Sequence, residues 1–204
     1  MAERAHPDLP GFKDKWFGLK RSIYKERLFE RYRFCNTYIK NKIVLDIPCG
    51  VGWGTTLLRG YNSTIGMDVS VEAIQYAKKH FERKNRKFLT GDMQAIALND
   101  DSVDIIICLE GFEHVTKEIG EKFITESKRV LKQNGLLIMT CPVLNECANS
   151  TGNPSHLNEY PEQELIELLN KNFRIIKMER IKGPEGPEYR AVLINFKDSS
   201  YKDK

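Results

Sequence analysis

The sequence predicts an α/β fold: a seven-stranded mixed sheet, mostly parallel with an antiparallel C-terminal hairpin, and helices on both faces. Three observations predict it. Short apolar runs alternate with amphipathic stretches along most of the chain, the pattern of βα units around a parallel sheet. Three of the apolar runs end in or just before an acid, at Asp46, Asp68 and Asp92. The 204 residues, 41% hydrophobic and 29% charged, suit one domain over 1–204 with a full core.

The elements follow in order. A helix over about residues 20–40 places Ile23, Leu28, Phe29 and Tyr32 on one apolar side. Residues 1–40 form a basic N-terminal cap, with ten Lys/Arg against five Asp/Glu inside a net charge of +4. Such a face is either simply solvated or a flap that attracts an anionic acceptor. Strands are expected at 42–47, 63–68, 87–92, 103–110 and 135–142, with helices at 53–60, 71–84 and 121–133. Asn134-Gly135 reads as the cap that ends the last of these helices. Residues 41–142 therefore form the cofactor-binding core, and 143–204 a substrate loop, a helix opened by Pro161 and a hairpin of strands 173–181 and 188–196.

Several classes are excluded. Every apolar run falls far short of the ~18 residues that span a bilayer, and the start lacks a signal-peptide pattern. Cys35, Cys49, Cys108, Cys141 and Cys147 contain no C-x-x-C pair, so neither a disulfide framework nor a zinc site is indicated. A reducing, cytoplasmic setting is expected.

The stretch "VLDIPCGVGWGT", residues 44–55, carries the cofactor signal. A dinucleotide fingerprint needs a third glycine where Thr55 stands, which weakens a nicotinamide oxidoreductase reading. What remains is a Rossmann-like strand end and turn: Asp46, Pro48, Cys49, Gly50 and Gly52. This turn resembles the S-adenosylmethionine-binding turn of class I methyltransferases. The resemblance runs over roughly residues 28–172 and includes "KRVLKQNGLLIMTCP" before the fifth strand. It implies S-adenosyl-L-methionine as cofactor, with Asp46 facing the amino end of its methionine and Asp68 accepting from both ribose hydroxyls. It further places Val69 against adenine, Asp92 at the adenine amino group, the Met93 backbone N–H at the ring, and Leu109 among the cofactor contacts. Each acid taken singly reads equally well as a turn or cap residue.

Acceptor chemistry belongs at the carboxyl ends of strands four and five. There "CLEGFEHV" supplies Glu110, Glu113 and His114, which share one face if they open a helical turn. Such a set serves either general acid/base catalysis, with His114 taking the acceptor's proton, or a divalent cation such as Mg²⁺ or Mn²⁺. His156, in "NPSHLNEY", lies in the loop before the next helix and faces the same end of the sheet. E-x-x-E-H with such a later histidine resembles small-RNA 3′-end ribose methyltransferases and ubiquinone-pathway O-methyltransferases, which implies Glu110, Glu113, His114 and His156 as metal ligands. The Glu-His pair, "NPSHLNEY" and Arg31-Tyr32 are also similar to segments of bacterial saccharide-associated methyltransferases. The bland alternative is that Glu113 and His114 cap a helix while His156 pins its loop. The expected activity is O-methylation of a saccharide or other small hydroxylated metabolite. RNA ribose 2′-O-methylation, favoured by the basic N-terminus, and a non-catalytic cofactor-binding subunit are the alternatives.

Overall fold

In a computed structural model the described residues are 19–144, 153, 155–182 and 187–196. Their order is α1 (Leu19–Cys35), β1 (Ile43–Asp46), β2 (Ser63–Asp68), α2 (Val71–Phe81), β3 (Arg86–Thr90), β4 (Val103–Leu109), α3 (Lys117–Val130), β5 (Leu131–Leu144), β6 (Tyr160–Pro161), α4 (Glu162–Asn172), β7 (Arg174–Lys182) and β8 (Pro187–Ile194). The sheet runs β3-β2-β1-β4-β5-β8-β7, with the two-residue β6 beside β5. The first five strands of that order are parallel, and β8 pairs antiparallel with both β5 and β7. The mixed seven-strand path with its C-terminal hairpin matches the sequence expectation.

The period of two along each strand decides which helix it meets. On β4, Ile105 and Ile107 face α1 and pack with Tyr32, Cys35, Val44 and Ile138. Ile106 and Cys108 face the other way, onto Phe123, Ile124 and Val130 of α3 and Leu165 and Leu169 of α4. Buried Cys108 is core, as expected. A small third cluster joins α2 to β3 through Ile74, Ala77, Phe88 and Cys49. Ser70 caps α2 by accepting from the Ala73 N–H at 3.3 Å, and Thr116 caps α3 from the Ile119 N–H at 3.4 Å.

Two local expectations are corrected. Residues 53–60 form no α-helix, only a single 3₁₀ turn at Gly54–Leu57. Gly54 sits beneath Tyr32 so closely that a Cβ there would lie 2.3 Å from the phenol oxygen, and Thr55 is turned inward, so this segment is held against α1 instead of winding on. Asn134-Gly135 does not cap a helix either. Helix α3 stops at Val130 because Leu131 already pairs with Val103, and Asn134 (φ 61°) makes a turn within β5, tied to Asn195. Helix α1 ends at Cys35, short of residue 40; Leu28 and Tyr32 pack inward as expected, and the Ile23 side chain lies outside the described residues. The hairpin loop at 183–186 lies outside them too, as do Asn145 and Cys147.

Candidate active site

The glycine turn is stapled between the carboxyl ends of β1 and β2. The Ile47–Pro48 peptide is cis, and the chain then returns to β2 through Cys49, whose N–H donates to the Met67 carbonyl at 2.8 Å. A Cβ on Gly111 would fall 2.3 Å from Pro48, so only glycine lets the end of β4 lie against this proline. Gly50 and Gly52 both take the left-handed backbone that favours glycine, with φ of 56° and 77°. Their surroundings differ. A Cβ on Gly50 would meet nothing within 4 Å, which leaves the backbone open to a ligand, whereas one on Gly52 would fall 2.5 Å from Phe88 and 2.8 Å from Ala77. Gly52→Ala is therefore expected to cost about 2–4 kcal/mol of folding stability from strain and overpacking together. Gly50→Ala should cost about 1 kcal/mol and register mainly in cofactor affinity; urea unfolding of the two variants checks the contrast.

Asp46 and Asp68 meet at this turn. Asp46 is 1% exposed and accepts from Thr55 Oγ1 at 2.6 Å and from the Tyr32 hydroxyl at 3.2 Å. Burial pushes its carboxyl up to about 7, the Thr55 and Tyr32 hydrogen bonds pull it down, and the nearby Asp68 charge adds to the rise. Asp68 accepts from the Gly50 N–H at 2.8 Å and the Ser70 N–H at 2.9 Å. Beside it Val69 stands 68% exposed, an apolar surface at the rim of the turn. Asp92 behaves differently: its carboxylate accepts from the Gln94 N–H and side-chain amide, at 3.0 and 2.8 Å, and so closes its own turn. Met93, Leu109 and Cys49 direct their side chains into the core.

At the end of β4 the E-x-x-E-H segment divides. Glu110, in a left-handed backbone (φ 51°), turns away to Thr140 Oγ1 at 2.7 Å and to the Arg31 guanidinium at 2.9 Å. Arg31 also donates to both oxygens of Glu188, at 3.1 and 2.7 Å. Burial works against the Arg31 charge, but Glu110 and Glu188 outweigh it and raise its pKa; burial pushes Glu110 up, with Arg31 pulling the other way. The other three predicted residues converge. Glu113, His114 and His156 offer ligand atoms within 4.8 Å of one another, and the two imidazoles meet edge to face at 5.2 Å.

Hydrogen bonding fixes the imidazole tautomers. His114 Nδ1 lies 2.9 Å from the Ser155 carbonyl, which can only accept, so Nδ1 carries a proton and, in the neutral ring, Nε2 is the nitrogen with the lone pair. That Nε2 is 4.0 Å from Glu113 Oε1. Asn153 Oδ1 accepts from the Ser155 N–H, which points its amide NH₂ at His156 Nε2 (3.0 Å) and leaves the proton on Nδ1, 2.8 Å from Glu159. Glu113 is 1% exposed, its Oε2 has no hydrogen-bond partner among the described residues, and burial, reinforced by Glu110, holds its carboxyl well above the usual range.

The motif reading missed Thr55, Thr140, Asn153, Glu159 and Glu188. Thr55 had a signal, since it stands where a dinucleotide turn needs glycine; the others lie too far along the chain for spacing to connect them.

Together the parallel sheet reversed at its C-terminal edge, the open glycine turn with two acids and the polar cluster beyond β4 make a Rossmann-like arrangement, in which ligands bind at the carboxyl ends of the strands. Residues 45–139 match the family described as methyltransferase domain. It is 29% identical over 173 residues to a probable S-adenosylmethionine-dependent methyltransferase of Mycobacterium tuberculosis, covering 82% of this chain and 58% of that protein. The chain thus spans about three fifths of the length of that curated relative. Over 105 residues it is 30% identical to the ubiquinone biosynthesis O-methyltransferase of Coxiella burnetii, covering 50% of this chain and 44% of that one. Among solved structures, the N-methyltransferase NodS of Bradyrhizobium japonicum with S-adenosyl-L-homocysteine has the same fold, with a TM-score of 0.72 at 16% identity over 94% of this chain and 93% of that chain. No described helix is long and apolar enough to cross a membrane.

Proposed function

We propose that this protein transfers the methyl group of S-adenosylmethionine to a hydroxyl of a saccharide or other small hydroxylated metabolite. The observation that carries the proposal is the convergence of Glu113, His114 and His156 at the carboxyl end of β4, next to the glycine turn. The donor's sulfonium is already an excellent leaving group, so alignment of oxygen, methyl and sulfur supplies most of the catalysis. An alcohol must also lose its proton. As the O–CH₃ bond forms and the CH₃–S bond breaks, that proton passes to His114 Nε2, the lone pair its Ser155 contact leaves exposed. Glu113 Oε1, 4.0 Å from that Nε2, stands beside the ring and helps to orient the acceptor hydroxyl toward it. The Coxiella relative's name as an O-methyltransferase supports an oxygen acceptor.

A second reading is favoured by Glu113 Oε2, a buried oxygen without a partner among the described residues. Glu113, His114 and His156 fit a divalent cation, and two nitrogens with one carboxylate favour Mn²⁺ over Mg²⁺. A cation there would acidify the acceptor hydroxyl. It would have to take from the Asn153 amide the lone pair of His156 Nε2, and Glu110, committed to Arg31 and Thr140, leaves the ligand set. A methyl-transfer screen over nucleotide sugars, oligosaccharides, phenols and short RNAs, with and without chelator, tests both readings. Turnover of sugars that survives chelation supports the acid/base route, abolition by chelator with rescue by Mn²⁺ supports the metal, and transfer confined to RNA overturns the saccharide class.

A further inference from the structure

A cavity of about 510 Å³ lies between α1 and the C-terminal hairpin, lined by four guanidinium groups, Arg27, Arg31, Arg33 and Arg190, against two carboxylates, Glu30 and Glu188. Glu188 is already committed: Arg31 binds both of its oxygens, and Arg27 stands 3.6 Å away. Among the described residues neither Arg33 nor Arg190 has a carboxylate partner, and Arg190 Nε is shielded from solvent with no hydrogen-bond acceptor. The Arg190 guanidinium is held over the Phe34 ring at 4.6 Å; Lys177 Nζ, 5.4 Å from the same ring, is already paired with Glu179 at 2.9 Å.

Cations gathered this way and left short of acceptors create a strong local demand for an anion. Guanidinium forks match phosphate oxygens in bidentate fashion, and the volume lies in the range of small-ligand sites. The cavity also shares a wall with the chemistry. One guanidinium, that of Arg31, lines it and at the same time pairs with Glu110 at 2.9 Å, three residues before Glu113.

We propose that this cavity binds a phosphate or diphosphate group of the methyl acceptor, which makes the acceptor a phosphorylated or nucleoside-diphosphate-linked hydroxylated compound; this rests on the methyl-transfer reading above. The anion anchors the acceptor between α1 and the hairpin, and its hydroxyl-bearing part extends past Arg31 toward Glu113 and His114. Specificity for a charged acceptor then resides in Arg33 and Arg190, outside the reacting centre.

Calorimetric titration of the full chain with inorganic pyrophosphate at low salt tests this, with S-adenosylhomocysteine titrated into the same samples. Arg33→Glu and Arg190→Gln should each weaken pyrophosphate about tenfold or more, the loss of a charge-assisted hydrogen bond, and leave S-adenosylhomocysteine binding unchanged. Wild-type pyrophosphate binding should also weaken with added salt. Absence of pyrophosphate binding at low salt, or binding that neither variant alters, overturns the proposal. Because Arg33 is exposed on α1, its variant stays informative even if Arg190→Gln fails to fold. Should wild-type protein bind pyrophosphate as expected yet fail to bind S-adenosylhomocysteine, the anion site stands and the methyl-transfer reading falls.

Discussion

Glu113→Gln should lower kcat about 10²–10⁴-fold, leave the affinity for S-adenosylhomocysteine unchanged and raise the melting temperature. The three readouts move apart because, in the mechanism proposed above, Glu113 serves chemistry at the expense of the fold. Its carboxyl is 1% exposed, its Oε2 is unpartnered among the described residues, and burial disfavours its charged form. The native state therefore holds the Glu113 proton to higher pH than the unfolded chain does. Over that interval it binds more protons, so stability falls as pH rises. Glutamine keeps the shape and removes the titrating proton, which abolishes this slope; turnover loses the carboxyl that faces His114. If a cation occupies the cluster, Mn²⁺ should stabilise the wild type against thermal unfolding by about 2.7 kcal/mol at a hundredfold excess over Kd and leave Glu113→Gln unmoved. Full activity in Glu113→Gln would remove this residue from the mechanism.

The proposed cofactor side was more legible in the sequence than the proposed acceptor side, and the reason is distance along the chain. Asp46, Gly50 and Gly52 fall within seven consecutive residues whose spacing by itself specifies a strand end and a tight turn. Asp68 follows because β2 is the next strand and pairs in parallel register with β1. Asp92 lies where expected in sequence, but its short side chain finds Gln94 two residues on, a local competition that spacing cannot resolve. Glu110 shows the opposite limit. The E-x-x-E-H pattern groups it with Glu113 and His114, yet its partners are Arg31 from α1 and Thr140 from β5, and Arg31 is in turn held by Glu188, 157 residues away. Only the docking of α1 across the sheet brings those charges together, and a left-handed backbone at Glu110 then aims its carboxylate at them. The 53–60 segment failed as a helix for the same kind of reason, since a tyrosine from α1 occupies the space above Gly54. The basic N-terminal surplus, ambiguous between a solvated face and an anion-attracting flap, includes Arg27, Arg31 and Arg33 of the cavity described above, a grouping that needs the hairpin for its other wall.

Cofactor affinity is expected to rise with pH and level off above about 7, and Asp46→Asn should erase that rise. In the cofactor-free protein burial pushes the Asp46 carboxyl up to about 7, from an ordinary value of 3.8. The donor carries a cationic sulfonium and an ammonium, so binding favours the ionised carboxylate; below about 7 the ligand must first displace a proton, and each unit of pH then costs up to about 1.4 kcal/mol of apparent affinity. In the free protein the linkage runs the other way. The native state holds the Asp46 proton between 3.8 and about 7 while the unfolded chain has released it, so stability falls as pH rises through that window and is flat above it. Saturating cofactor, which binds the ionised native form, should oppose that fall. Asp46→Asn should lower cofactor affinity at pH about 8 some 10–100-fold, the loss of a charged hydrogen bond, and flatten both pH profiles. Tyr32→Phe supplies the discriminating control: the Tyr32 hydroxyl donates to Asp46 and pulls its carboxyl down, so its removal should move the midpoint of the affinity profile to higher pH without abolishing the rise. A wild-type affinity that is flat across neutrality would take Asp46 out of the cofactor contact, whereas a midpoint that follows Tyr32 ties α1, the buried acid and the ligand into one titrating unit.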